Sequence, residues 1–156
     1  VPDFAAHMFI FYYAVLSEVS PHTALSPFAA AAITGGNPYG TTLQSWKYTL
    51  PAFLVPFMFV LDPDGVGLLL KRPPDGDWWH VGVHAITALA GIAAVASGVQ
   101  KWALRACGEI ERWLLIAGGL ALVYPSFATK GAGAVLVCAV LARQALARKG
   151  NAAGAD

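Results

Sequence analysis

Charge is scarce in this chain. Asp, Glu, Lys and Arg together make up 12% of its 156 residues while 57% are hydrophobic, against about 25% charged residues in an ordinary soluble domain. So little polar surface cannot coat a water-soluble globule. The gaps between charges are long: 28 residues separate Glu18 from Lys47, 23 separate Asp77 from Lys101, and 17 separate Arg112 from Lys130. A bilayer core takes roughly 20 apolar residues per helix, so several spans are expected. Cysteine is nearly absent too. Cys107 lies beside a charged turn and Cys138 in an apolar run, which excludes a disulfide framework and predicts free thiols. The ten Lys and Arg residues are scattered around a net charge of +1. Without a basic stripe, nucleic acid is excluded as a partner. There is also no Ser-His-Asp set, no Cys-rich metal motif and no glycine loop followed by a lysine, so neither an enzyme nor a cofactor is expected. His7, His80 and His84 stand alone without ligand spacing.

What is present is a series of apolar runs separated by turn chemistry. Phe4 to Val19 is apolar and helical in length, and Ser20-Pro21 stops it, because proline lacks an N–H and restricts its predecessor. Apolar residues resume from Ala24 to Thr34, and Gly35-Gly36-Asn37-Pro38 closes them. The stretch reads as one discontinuous crossing with an unwound link at about residues 20–23. Thr42 to Tyr48 is a short polar lead-in to a second span, Leu50 to Leu61, kinked by Pro51 and Pro56. A polar loop at 62–80 follows, ending on Trp78-Trp79-His80, whose tryptophans suit a membrane interface. Further spans are read at Val81 to Gln100, Trp113 to Ala128 with Pro125 as a candidate kink, and Gly131 to Leu146; the last two are short enough that a shallow hairpin is an alternative. The tail 148–156 is expected to be disordered. Gly91, Ala94 and Gly98 lie near one face of the third span, as small residues do where helices pack closely.

The fold expected is therefore an all-α membrane protein with about five transmembrane or re-entrant segments, one of them a discontinuous helix. Its parts are residues 1–61 with the broken helix and the kinked span, the loop 62–80, the C-terminal helices 81–147, and the tail. Lys and Arg placement favours a cytoplasmic C-terminus by seven residues to three, with the 62–80 loop outside. The opening Val1-Pro2-Asp3 has no initiator Met and no signal-peptide pattern, and the chain is read as the end of a longer polypeptide whose N-terminal remainder is a partner.

The segment richest in chemistry is Leu16-Ser17-Glu18-Val19-Ser20-Pro21-His22-Thr23-Ala24-Leu25. An ionisable group among apolar spans is costly unless it faces protein or water. A helix break there frees backbone carbonyls for a cation and exposes the N-terminus of the second half-helix to an anion. The competing reading is a proline-kinked helix with Glu18 hydrogen-bonded to a neighbour. Glu18 and His22 stand four apart, which on an unbroken helix would place them on one face as a proton-sensitive pair or metal ligands; Pro21 lies between them.

The run Ala6-His7-Met8-Phe9-Ile10-Phe11-Tyr12-Tyr13-Ala14-Val15-Leu16-Ser17-Glu18-Val19-Ser20-Pro21, followed by Phe28-Ala29-Ala30-Ala31-Ala32-Ile33-Thr34-Gly35, resembles the large fused permease subunit of TRAP transporters. These are the tripartite ATP-independent periplasmic transporters, here of the TAXI type. Pro51-Ala52-Phe53-Leu54-Val55-Pro56-Phe57-Met58-Phe59-Val60 looks like that family's following span, and the resemblance is strongest over residues 2–61. It implies a multi-pass protein of the bacterial inner membrane. It also implies sodium-coupled uptake of an organic acid delivered by a periplasmic binding protein, with sodium as the coupling ion. Carried over residue by residue, it points to Ser17, Glu18, Ser20 and Pro21 as substrate- and ion-binding positions. The sequence departs from the family at His22 and Thr23, where the family has proline and an aliphatic residue, and at Ser26-Pro27, which replace small apolar residues. His22 and Thr23 complete the candidate set. A related ion-coupled dicarboxylate or anion transporter, or a non-transporting membrane scaffold, stands as the alternative. The broken helix argues against a scaffold, and an adjacent gene for a periplasmic binding protein would separate the two transporters.

Overall fold

A computed structural model describes residues 1–61, 63–69, 78–124 and 126–153, with side chains for all of these except 63–65 and 148–153. Among the described residues the chain is all-helical and has no strand. It divides into two compact units, Val1–His84 and Ala85–Asp156. Two helices, Trp78–Gln100 and the Phe127–Ala147 portion of the last helix, are long and apolar enough to cross a membrane by length and composition.

In the first unit, helix α1 (Asp3–Leu16) passes into a 3₁₀ turn at Ser17–Val19, and the chain then breaks before α2 (Leu25–Thr34). The break has a local cause. In a continuous helix the amide of residue 21 would bond the Ser17 carbonyl, but Pro21 has no amide and its ring crowds that carbonyl. Ser20, preceding proline, is accordingly extended, at φ −81° and ψ 148°. Gly35 ends α2 in the left-handed region at φ 70°, its amide bonded to the Ala31 carbonyl, as glycine at this position does at little steric cost.

Helix α3 (Pro38–Thr49) starts earlier than the polar lead-in read from the sequence. Asn37 caps it, with Oδ1 accepting from the Gly40 amide at 3.0 Å, and Pro38 occupies the first helical position, where a missing amide costs nothing. A 3₁₀ stretch at Leu50–Leu54 and α4 (Val55–Val60) follow with right-handed helical junctions. The expected second span is thus the end of a longer helical path beginning at Pro38, tightened where Pro51 and Pro56 remove amides. Tyr13 ties α1 to this path by donating its hydroxyl to the Phe53 carbonyl at 2.7 Å, and Phe9 stacks edge-on against Phe57 at 5.4 Å. A small core of Ala5, Phe59 and Val66 lies between α1, α4 and a 3₁₀ helix at Pro63–Leu69. Part of the expected 62–80 loop is therefore packed; Asp62 and residues 70–77 lie outside the described residues.

The second unit comprises the Ala85–Gln100 part of α5 (Trp78–Gln100), α6 (Glu109–Val123) and α7 (Phe127–Ala153). Glycines set the helix contacts. A Cβ on Gly91 would come 2.8 Å from the Gly119 carbonyl, and one on Gly98 would come 2.9 Å from the Arg112 carbonyl, so α5 and α6 meet backbone to backbone. Gly118 and Gly133 make the same kind of crossing between α6 and α7, with 2.6 Å from a Cβ on Gly133 to the Gly118 carbonyl. The glycine face expected on the third span does lie against a neighbouring helix.

The boundary between the last two helices differs from the expectation. Tyr124 is extended, at ψ 136°, as a residue preceding proline tends to be, so α6 stops at Val123 instead of reaching Ala128. At about 1.5 Å per residue α6 spans roughly 22 Å, short of the roughly 30 Å of a bilayer core. Helix α7 starts at Phe127, where the Ser126 carbonyl accepts from the Lys130 amide at 2.9 Å, and continues through Ala153, past Arg148 where composition predicts a disordered tail. Pro125 and residues 154–156 lie outside the described residues.

One end of this unit holds a buried polar network. Glu111 and Gln144 are 3% and 0% exposed. Gln144 donates to Glu111 Oε2 at 3.0 Å and accepts from the Leu104 amide at 3.2 Å. The Gly108 amide donates to the same carboxylate at 3.2 Å, and Arg105 reaches Oε1 at 3.2 Å. The Gln144 amide, helped by the Gly108 amide and the Arg105 guanidinium and opposed by burial, holds the Glu111 carboxyl below its usual range. Glu109, exposed, is held down chiefly by Lys101 and then by Arg112.

A carboxyl whose folded-state pKa is depressed stabilises the fold above its unfolded value, about 4.3, and that contribution fades as pH falls through the folded value. Glu111→Gln is therefore expected to melt below the parent at pH 6, with the gap closing below about pH 4. Melting temperatures of both proteins across that range check it, and a gap independent of pH would contradict it.

Candidate functional site

The break between α1 and α2 gathers oxygens around the carbonyl that Pro21 orphans. The Ser17 carbonyl accepts from the Ser20 amide at 3.1 Å, from Ser20 Oγ at 2.8 Å, and from Thr23 Oγ1. Two hydroxyls and one amide thus replace the helical bond that proline cannot make. Ser20 Oγ and Thr23 Oγ1 are 3.1 Å apart, and the Ser20 carbonyl accepts from the amides of Thr23 at 3.2 Å and Ala24 at 2.8 Å. With their protons directed at Ser17, the two hydroxyls keep lone pairs for a further electrophile. Hard oxygens of this kind, carbonyl and hydroxyl, are what an alkali cation takes as ligands at an unwound helix.

Ala24 holds the second half of the turn. Its φ of 47° and ψ of 28° lie in the left-handed region, which costs a residue with a Cβ about 1–2 kcal/mol, and it is 2% exposed. Backbone strain of this kind persists where the surroundings over-determine it, and it concentrates at binding and switch regions. Helix α2 then begins without a side-chain cap, and Pro27 in its first turn has no amide. The amides of Leu25 and Ser26 are left at that terminus, fewer than a regular helix start offers an anion.

Of the six residues singled out in the sequence, the structure brings Ser17, Ser20, His22 and Thr23 together. His22 is exposed, with Nε2 3.4 Å from Ser20 Oγ. Pro21 shapes the break and lines the adjoining cleft. Glu18 is not in the cluster: it is exposed in the 3₁₀ turn and makes no hydrogen bond or ion pair, to His22 or otherwise, among the described residues. The helical i, i+4 geometry that would have faced Glu18 toward His22 is lost at Pro21.

A cleft of about 660 Å³ opens beside Ser20, Pro21 and His22, with Trp46, Leu50 and Phe53 as its apolar wall. Trp46 and Leu50 lie at the C-terminal end of α3, just before Pro51, and Phe53 carries the carbonyl that Tyr13 holds. Sequence reasoning does not reach these three residues. The signal it offers is the pair of prolines, which marks the helical path as interrupted opposite the first break. No family model, curated protein or solved structure matches the chain.

Proposed function

We propose that this chain is the C-terminal part of a TRAP-type secondary transporter permease of the bacterial inner membrane, with about five transmembrane or re-entrant segments, one of them discontinuous. It takes up an organic acid delivered by a periplasmic binding protein, coupled to sodium and without ATP or catalytic chemistry. The observation that carries this reading is the helix interruption at Ser17 to Ala24, where Ser20 and Thr23 hydroxyls converge on the Ser17 carbonyl beside a cleft. An interruption of this kind supplies oxygens to a cation without burying a charge, and rocking of one bundle of the complete permease against the other around this fixed site exposes it alternately to each side. The family resemblance over residues 2–61 and the two long apolar helices agree with it.

His22 borders this site, with Nε2 3.4 Å from Ser20 Oγ. The test is reconstitution of the complete permease in proteoliposomes with the binding protein encoded beside it. Accumulation of an organic acid is expected to need both an inward sodium gradient and the binding protein. Uptake without the binding protein would move the assignment to a related anion transporter, and no uptake under any gradient would move it to a scaffold.

A further inference from the structure

The end of the second unit that carries the polar network holds four cations on two carboxylates. Lys101 Nζ lies 2.7 Å from Glu109 Oε1, and Arg112 Nη1 lies 3.4 Å from Glu109 Oε2. Arg105 Nη2 and Arg143 Nε share Glu111 Oε1, at 3.2 and 3.5 Å. Because Glu109 and Glu111 both lie in the first turn of α6, the four cations ring one helix start. Each carboxylate balances one of its two cations, so a charge of about +2 is left over. The side chains remain accessible, with Lys101 52% and Arg143 67% exposed. The Nε atoms of Arg105 and Arg112 are buried and have no acceptor among the described residues.

Large apolar groups surround the cations. Trp102, Leu104, Ile110 and Trp113 are exposed, and the Arg112 guanidinium lies over the Trp113 ring, 5.1 Å from its centroid. Exposed tryptophan beside arginine suits the headgroup level of a bilayer, with the ring against acyl chains and the cation toward phosphate.

We propose that this end of the unit is a binding site for an anionic phospholipid, whose phosphodiester neutralises the surplus of Lys101, Arg105, Arg112 and Arg143 while its acyl chains cover Trp102 and Trp113. The inference rests on the membrane reading of the chain and not on transport. Each cation near an anionic surface contributes roughly fivefold in affinity, so two surplus cations give a preference of about 30-fold over a zwitterionic lipid.

The double variant Lys101→Gln/Arg143→Gln removes the surplus and leaves Glu109 with Arg112, and Glu111 with Arg105 and Gln144. The full chain is placed in bilayer discs of mixed phosphatidylcholine and phosphatidylglycerol, and the lipids retained on release are counted by native mass spectrometry. The parent is expected to retain phosphatidylglycerol preferentially. The double variant is expected to lose that preference, and the charge-keeping Lys101→Arg/Arg143→Lys protein to keep it. Equal retention of both lipids by the parent, or an unchanged preference in the double variant, overturns the lipid site alone. A parent chain that enters no disc of either composition overturns the site together with the membrane reading.

Discussion

Gly119→Leu is expected to lower the melting temperature of the Ala85–Asp156 unit by on the order of 15 °C. A Cβ at this position would lie 2.7 Å from the Gly91 carbonyl and 2.9 Å from the Val95 amide, and both obstacles are backbone, which cannot rotate away. The helices must separate, and Val95 and Leu115, 2% and 1% exposed, lose contacts with them. Overpacking of a close-fitted core costs about 1–3 kcal/mol and sometimes more, and separating two helices along their length belongs at the upper end. A helical glycine with no such neighbour predicts the opposite. Gly131 in α7 has open space within 4 Å of where a Cβ would stand, so Gly131→Ala is expected to raise stability by about 0.5–1 kcal/mol through helix propensity alone. Thermal unfolding of the three proteins by far-UV circular dichroism checks both. A Gly119→Leu protein melting with the parent would mean that α5 and α6 do not cross at these glycines.

Much of this architecture is legible in the sequence, and where it is not the reason is physical. The break at Pro21 and the turn at Gly35 to Pro38 follow from local chemistry, because a missing amide and a left-handed glycine act on their immediate neighbours. The start of α3 is harder to place, because Asn37-Pro38 serves equally to end a turn and to begin a helix, and only the following residues decide which. Helix α7 runs beyond its apolar stretch because Ala147, Arg148 and Lys149, which follow it, are good helix formers. Long-range pairings leave no local trace. Gly91 is recognisable as a packing residue, but nothing near it identifies Gly119 as the partner, and Glu111 and Gln144 lie 33 positions apart with no shared motif. At the candidate site, the hydroxyls of Ser20 and Thr23 are legible as candidate oxygen donors. That Glu18 stands apart from them is not, since it depends on how far the 3₁₀ turn rotates the chain before the proline.

The central claim is that the unwound link between α1 and α2 holds the coupling cation through the hydroxyl oxygens of Ser20 and Thr23. Ser20 is the residue on which this depends most, being 4% exposed, bonded to Ser17, and next to both Thr23 and His22. Removing its hydroxyl would take away one proposed oxygen ligand of the cation and one of the donors that orient the Ser17 carbonyl. His22→Pro, by contrast, leaves every Ser20 and Thr23 oxygen in place and removes only the imidazole, so it is expected to keep the sodium dependence of uptake.

The most direct measurement is the sodium concentration giving half-maximal uptake by the complete permease carrying Ser20→Ala, Ser20→Thr, or the distant control Thr34→Ala. At about 1.4 kcal/mol per decade, Ser20→Ala is predicted to raise that concentration at least about tenfold at every pH, with Ser20→Thr and Thr34→Ala close to the parent. A Ser20→Ala permease with the parent's sodium dependence would contradict the account, because the link would then hold the helices apart without holding the ion.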